Sequence, residues 1–455
     1  MRGRKTIIIG VLLTFVLLIA GCGDDEAETT TTVAPETTTT AAETTTTTAA
    51  ETTTTTAAEE TTTTVPEETT TTTMLIVRED ADLVIWADDT RTPIFEAFAE
   101  EYAAANGITI AVQEIPAIEE IDDRVGERAP LGEGPDIFIS ANDVLGGLVA
   151  DGLVEPLDLT SVADDFAQGA IDAFTFGGLT YALPYATESV ALIRNTDLVP
   201  EAPATFEELE QIALALVASG DAEIPLAVQA GGGAPYHYFP LYSAFGGYVF
   251  GINADGSFNF EDVGLASEAG LAAADAFAAW GASGLLDWDI TYDIMLEKFG
   301  DGSAPFAITG PWALPSFEGV NFVVEPIPPV QGGEARPFIG VQGIMVSAFS
   351  EAKLFATDFI LSFLATEEAQ QAFFDADPRG PSHLAVLARV QESDPNLGGF
   401  AASAANGVPI PSVAEMGAVW TPWQDAYQIV VTGAGDAREA FQNAAEQVVT
   451  AIAAG

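Results

Sequence analysis

The sequence holds one cysteine, two histidines and 14 basic residues set against 68 acidic ones. Each scarcity closes off a class of chemistry. A single cysteine permits no intramolecular disulfide, so stability must come from packing. Two isolated histidines, His237 and His383, with no cysteine pair, leave the usual zinc clusters without ligands. They read as surface or satisfied core residues. The three lysines are Lys5, Lys298 and Lys353, and none follows a glycine, so the G-x-x-x-x-G-K-[ST] phosphate loop is absent, as is the G-x-S-x-G nucleophile elbow. A formal charge of −54 repels nucleic acid and anionic lipid. No cofactor and no metal site is expected. Acidic residues are so numerous that chance carboxylate pairs are inevitable, so a glycosidase pair is open by residue type. It needs a set separation of about 5 to 9.5 Å across a cleft.

What is present begins with an export signal. Residues 1–18, "MRGRKTIIIGVLLTFVLL", place Arg2, Arg4 and Lys5 before an apolar run, the n-region and h-region of a secretory leader. The run closes on "LIAGCG", which resembles the lipobox of bacterial lipoproteins, with Ile19 where the pattern favours Leu. That resemblance implies cleavage of 1–21 and lipid on Cys22, a membrane anchor on the outer side of the cell membrane. Loss of the three basic residues with the leader takes the charge from −54 to −57. Elsewhere no run approaches the roughly 20 apolar residues that a membrane helix requires.

Within an expected linker of 22–78, residues 28–73 repeat "ETTTT" and "AAETTTTT" with almost no bulky apolar side chain. Such a tract buries too little surface to offset its ordering entropy and reads as a disordered tether. Its threonines are candidates for O-glycosylation. Stretched out, 29–73 spans on the order of 150 Å.

From about residue 80 onward, short apolar runs alternate with amphipathic stretches, the pattern of an α/β fold. Strands are expected at 82–88, 108–115 and 135–140. Helices are expected at 92–107, stopped by Gly107, at 206–220, at 351–374 and at 436–454. "FAITGPWALP", 306–315, reads as a strand run into Gly310-Pro311 with Trp312 on the turn, an indole in need of a cover. Trp86 lies in an apolar strand and Trp280 on an amphipathic helix, so both read as packing.

Several segments in this part, taken in order, resemble the extracellular sugar-binding proteins of ABC importers, solute-binding protein family 1, and most closely the maltose/maltodextrin-binding group. They are "LVIWADDTR" (83–91), "GEGPDIFISANDVLGGLVADGLVEPL" (132–157), "LTYALPYATESVALIRNTDLVP" (179–200), "FGDGSAPFAITGPWAL" (299–314), "FIGVQGIMVSAFS" (338–350) and "VPIPSVAEMGAVWTPWQDA" (408–426). The resemblance implies a two-lobed periplasmic-binding-protein-like fold of type II with a ligand cleft between the lobes. Lobe 1 would take 80–186 plus 340–393 and lobe 2 would take 190–335 plus 397–455. It also implies a monomeric, non-enzymatic partner of a membrane permease, one that captures an oligosaccharide by closing around it.

A pyranose has a hydroxylated rim and apolar faces, so its site needs charged groups at the edge and aromatic plates above and below. Positions matched by the resemblance supply both. Asp88, Arg91, Glu119 (or its neighbour Glu120), Asp143 and Glu188 are the implied polar contacts. Tyr236, Tyr292, Trp312 and Trp420 are the implied plates, and Trp423 is a weaker candidate for the cleft. Departures are Ser140 and Val144, where maltose binders carry an aromatic and a basic residue, and Ala234, where they carry an acid. These leave the carbohydrate class firmer than the maltodextrin label. The alternatives are a lipid-anchored secreted glycoside hydrolase and a binding protein for a non-sugar solute.

Overall fold

The computed structural model describes residues 78–454. The leader, Cys22 and the Thr-rich tract lie outside the described residues. Two sheets organise the chain. In the larger one the spine runs Gly380–Pro381, Ala182–Glu188, Phe338–Ser347, Ile137–Ala141, Leu83–Ala87, Ile110–Glu114. Leu83–Ala87 is buried at every position and lies parallel to both Ile110–Glu114 and Ile137–Ala141. That two-sided burial is why it reads as an unbroken apolar run rather than an alternating one. Phe338–Ser347 runs antiparallel to Ile137–Ala141 and to Ala182–Glu188. The smaller sheet has the order Phe322–Glu325, Ala191–Asn195, Phe306–Thr309, Ala227–Val228.

The chain leaves the larger sheet at Glu188 and enters the smaller at Ala191, and it returns between Glu325 and Phe338. Each sheet has its own core. One cluster draws on 83–186 and 341–373, centred on Trp86, Phe95, Tyr102 and Phe138. Another draws on 190–338 and 410–448, centred on Tyr238, Phe277, Trp423 and Tyr427. Trp86 is wholly buried and its Nε1 donates to Gln113 Oε1 at 2.9 Å, while Trp280 packs edge-on to Phe206 and Phe277. Trp423 is core too, stacked on Tyr427.

Local signals place most elements. The helix Thr92–Asn106 ends where Gly107 takes φ 65°, a left-handed cap that glycine adopts without strain. Gly220 ends Phe206–Ser219 in the same way. The expected helix at 351–374 is broken. Lys353–Phe359 runs into a π-helical turn, Ile360–Leu364, and a fresh helix, Glu367–Ala376, starts after Thr366. Thr366 Oγ1 accepts from Ala369 N at 3.3 Å, with Glu367 and Glu368 in the first turn, an N-cap signature inside an otherwise continuous apolar periodicity. Among the described residues no helix is long and apolar enough to cross a membrane.

Candidate functional site at the facing edges of the two sheets

Most of the side chains that the resemblance implies gather where strands end. Asp88 and Arg91 follow Leu83–Ala87, Asp143 follows Ile137–Ala141, and Glu188 is the last residue of Ala182–Glu188. On the smaller sheet Trp312 follows Phe306–Thr309, and Tyr236 lies on the helix Ala234–Ser243 after Ala227–Val228. All of these are carboxyl ends, the edge at which α/β sheets bind ligands.

An ionic chain occupies the larger sheet's edge. Arg91 Nη1 donates to Asp88 Oδ2 at 2.7 Å and its backbone N donates to Asp88 Oδ1 at 2.9 Å, while Nη2 bonds Asp377. Asp377 also bonds Arg379, whose Nε lies 2.5 Å from Glu188 Oε2. That last contact is out of line for a hydrogen bond, so it is electrostatic rather than directed. Glu188 Oε1 accepts from Gln342 Nε2 at 3.2 Å. Asp88, Glu188 and Asp377 thus share two guanidinium ions, an excess of one carboxylate. Burial pushes the Glu188 carboxyl up to about 8. It pushes Asp377 and Asp143 up as well. Burial opposes the charge on Arg91, but the surrounding Tyr185 and carboxylates Asp377, Asp88 and Glu188 outweigh it and hold the guanidinium protonated.

Aromatic rings line the opposite edge and reach across. Trp312 is half-buried, with Tyr236 at 6.1 Å and His237 at 6.3 Å between ring centroids. The Arg379 guanidinium lies 5.2 Å from the indole centroid. Side chains from both sheets therefore cover part of this indole, and the rest of it stays exposed. Tyr236 also stacks on Phe338, which meets Trp420 edge-on at 6.0 Å. Trp420 Nε1 donates to Asp143 Oδ2 at 3.1 Å, a second link across. Gly310 has a simple role here. The indole folds back over it, and a Cβ there would meet the ring at 1.9 Å.

Asp88, Arg91, Asp143, Glu188, Tyr236, Trp312 and Trp420 thus form one connected patch. Tyr292 opens the helix Tyr292–Gly300, half-buried against the Ile290, Met295 and Phe299 cluster that Trp312 also flanks. Glu119 opens the helix Glu119–Arg128. Glu120 spends its carboxylate on Arg124 at the surface, 2.6 Å away. Sequence reasoning missed Asp377, Arg379, Gln342 and Phe338. One signal was available: in a chain so poor in basic residues, the Arg of "DADPRGP" flanked by acids invites a buried partner.

Part of the patch is left without partners. Tyr185 Oη, Tyr236 Oη, Thr309 Oγ1, His237 Nε2 and Gln342 Oε1 are buried polar atoms without a hydrogen-bond partner. Such groups are costly unless something pairs them. Among the described residues no cluster of His, Cys, Asp and Glu suits a metal ion.

Residues 97–399 match the family described as bacterial extracellular solute-binding protein, and the chain belongs to that family. It is a family of solute binders, which sets the hydrolase reading aside. Among curated relatives, the chain is 31% identical over 366 residues to the maltotriose-binding protein of Pyrococcus abyssi, covering 76% of each chain. It is 28% identical over 384 residues to the galactooligosaccharide-binding protein of Bacillus subtilis, covering 80% of this chain and 88% of the relative. It is 25% identical over 376 residues to a maltooligosaccharide ABC transporter solute-binding lipoprotein of Streptococcus pneumoniae, again 80% and 88%.

Proposed function

We propose that this protein is the substrate-binding lipoprotein of an ABC sugar importer that captures a maltose/maltodextrin-like oligosaccharide and delivers it to a membrane permease. The observation that carries the reading is the convergence of indole and phenol faces with buried, unpaired polar atoms at the facing strand ends. Flat apolar plates suit the C–H faces of a pyranose, and the bare polar atoms suit its hydroxyl rim.

In this reading 80–186 plus 340–393 and 190–335 plus 397–455 are the lobes, and the strand passages between the sheets are the hinge. Ligand bridging the lobes shifts the population toward the closed form, in which Arg379 meets Trp312 and Trp420 meets Asp143. Lipid on Cys22 holds the protein at the outer face of the membrane, the Thr-rich tract spaces it from the bilayer, and the head works as a monomer. A galactooligosaccharide is the second reading, favoured by Ser140, Val144 and Ala234, where an aromatic, a basic residue and an acid expected of a maltose site are missing.

Titration calorimetry with maltotriose and with a galactotriose decides between them. Trp312→Ala is expected to weaken binding of the accepted sugar by about 1 to 3 kcal/mol, the scale of a lost aromatic stacking partner. Unchanged affinity sinks the assignment of the site. For the anchor, Cys22→Ser is expected to release the protein from the membrane fraction, and retention there would overturn the lipid anchor.

A further inference from the structure

We infer that His237 is a specificity-determining residue of this site, its Nε2 accepting a hydrogen bond from a ligand hydroxyl beside Trp312. The inference rests on the sugar-binding reading and names one of its hydrogen-bond acceptors.

The position of the proton on this ring follows from its neighbour. His237 lies in the first turns of the helix Ala234–Ser243, and its Nδ1 is 2.9 Å from the Gly233 carbonyl oxygen. A carbonyl only accepts, so Nδ1 carries the hydrogen and Nε2, on the far side of the ring, keeps its lone pair. The side chain is 5% exposed and Nε2 has no partner. Burial lowers the imidazole to about 4, so the ring is neutral under ordinary conditions.

That bare acceptor sits among aromatic rings. The ring stands edge-on to Tyr236, 5.6 Å away at 75°, and to Trp312, 6.3 Å away at 80°. A phenylalanine would pack among these rings without burying an unpaired nitrogen. Packing alone therefore does not account for a histidine here, whereas a ligand that supplies a donor does. The Oη of Tyr236, whose ring lies 5.6 Å from the imidazole, is also unpaired. A hydroxyl is donor and acceptor at once, which suits a bare ring nitrogen beside a bare phenol. A carboxylate or an ether oxygen, acceptor only, leaves Nε2 unpaired. The site thereby selects, at this spot, a ligand that presents a free hydroxyl next to the face stacked on the indole.

The test uses the full chain with titration calorimetry on maltotriose, a galactotriose and the monodeoxy analogues of whichever sugar binds, for the wild type, His237→Phe and His237→Gln. His237→Phe is expected to bind the sugar about 10-fold more weakly, the scale of one net hydrogen bond in a buried site. One monodeoxy analogue should lose the same factor against the wild type and lose nothing further against His237→Phe. His237→Gln, whose Oε1 can accept near the Nε2 position, should recover part of the loss. Thermal unfolding without sugar should show His237→Phe at least as stable as the wild type, since a bare buried acceptor has been removed. Binding by His237→Phe within twofold of the wild type overturns the inference while the sugar site stands. An equal loss across every deoxy analogue also overturns it, because that outcome marks a packing role. No binding by the wild type to any of the oligosaccharides overturns the sugar reading and this inference with it.

Discussion

Gly310→Ala isolates the part of the site that depends on one indole. Gly310 is extended, φ −98° and ψ −179°, so the backbone tolerates alanine and only the new methyl matters. That carbon would lie 1.9, 2.1 and 2.4 Å from Cζ3, Cη2 and Cε3 of Trp312. Carbon atoms rest at about 3.5 Å or more, so the ring must retreat by about 1.5 Å or leave its rotamer. Retreat is resisted by Tyr236 and by the guanidinium of Arg379, so the overpacking is expected to cost about 1 to 3 kcal/mol of stability. A displaced plate no longer matches the sugar face, and the Kd should rise by about 5- to 150-fold, equivalent to about 1 to 3 kcal/mol. Calorimetry with the accepted oligosaccharide measures the Kd, and urea unfolding measures the stability. Gly147→Ala is the control, since a Cβ there meets nothing within 4 Å. Sugar binding by Gly310→Ala within twofold of the wild type would refute the claim that Trp312 must sit on this glycine.

Two further outcomes follow from the ionic chain. Glu188 holds its proton up to about 8 in the folded protein against an ordinary value near 4.5, so the fold binds a proton that the unfolded chain releases between those values. Its contribution to stability is full below about pH 4.5 and is lost as pH rises to about 8. Glu188→Gln should therefore flatten the fall of Tm across that window, and an unaltered slope would show that the carboxyl is ionised in the fold. Arg379→Ala removes one of the two cations paired with buried Asp377, with an expected loss of about 3 to 5 kcal/mol in urea unfolding. Arg389→Ala, whose side chain is 51% exposed beside Glu367, should change stability by no more than about 0.5 kcal/mol. Equal effects for the two arginines would deny that burial makes the difference.

How legible all this is in the sequence depends on the range of the interaction. The strand Leu83–Ala87, the helix Thr92–Asn106 with its Gly107 stop and the core roles of Trp86 and Trp280 are written in stretches of a few residues. There hydrophobic period, cap residues and turn chemistry act locally. The ordered motifs from 83 to 426 likewise carry the family. Local periodicity also misled, where one apolar pattern across 351–374 concealed the Thr366 cap and the break before it.

The site was legible only as a set of residue types. Asp88 and Arg91 were expected at a sugar, yet they pair with each other, and Arg91 also bonds Asp377, 286 positions further along. Trp312 was expected as a plate in need of a cover, and the guanidinium of Arg379 lies over it. Trp423, a weak candidate for the cleft, is core because Tyr427 and Phe239 enclose it. The amino-acid sequence by itself determined the α/β elements, the poverty in cysteine and cations that rules out disulfides and phosphate loops, and the family. Tertiary structure alone decided which charges neutralise one another and which polar atoms are left bare. Pairing in a low-dielectric interior depends on the through-space distance between segments far apart in the chain, which neither hydrophobic period nor residue spacing encodes.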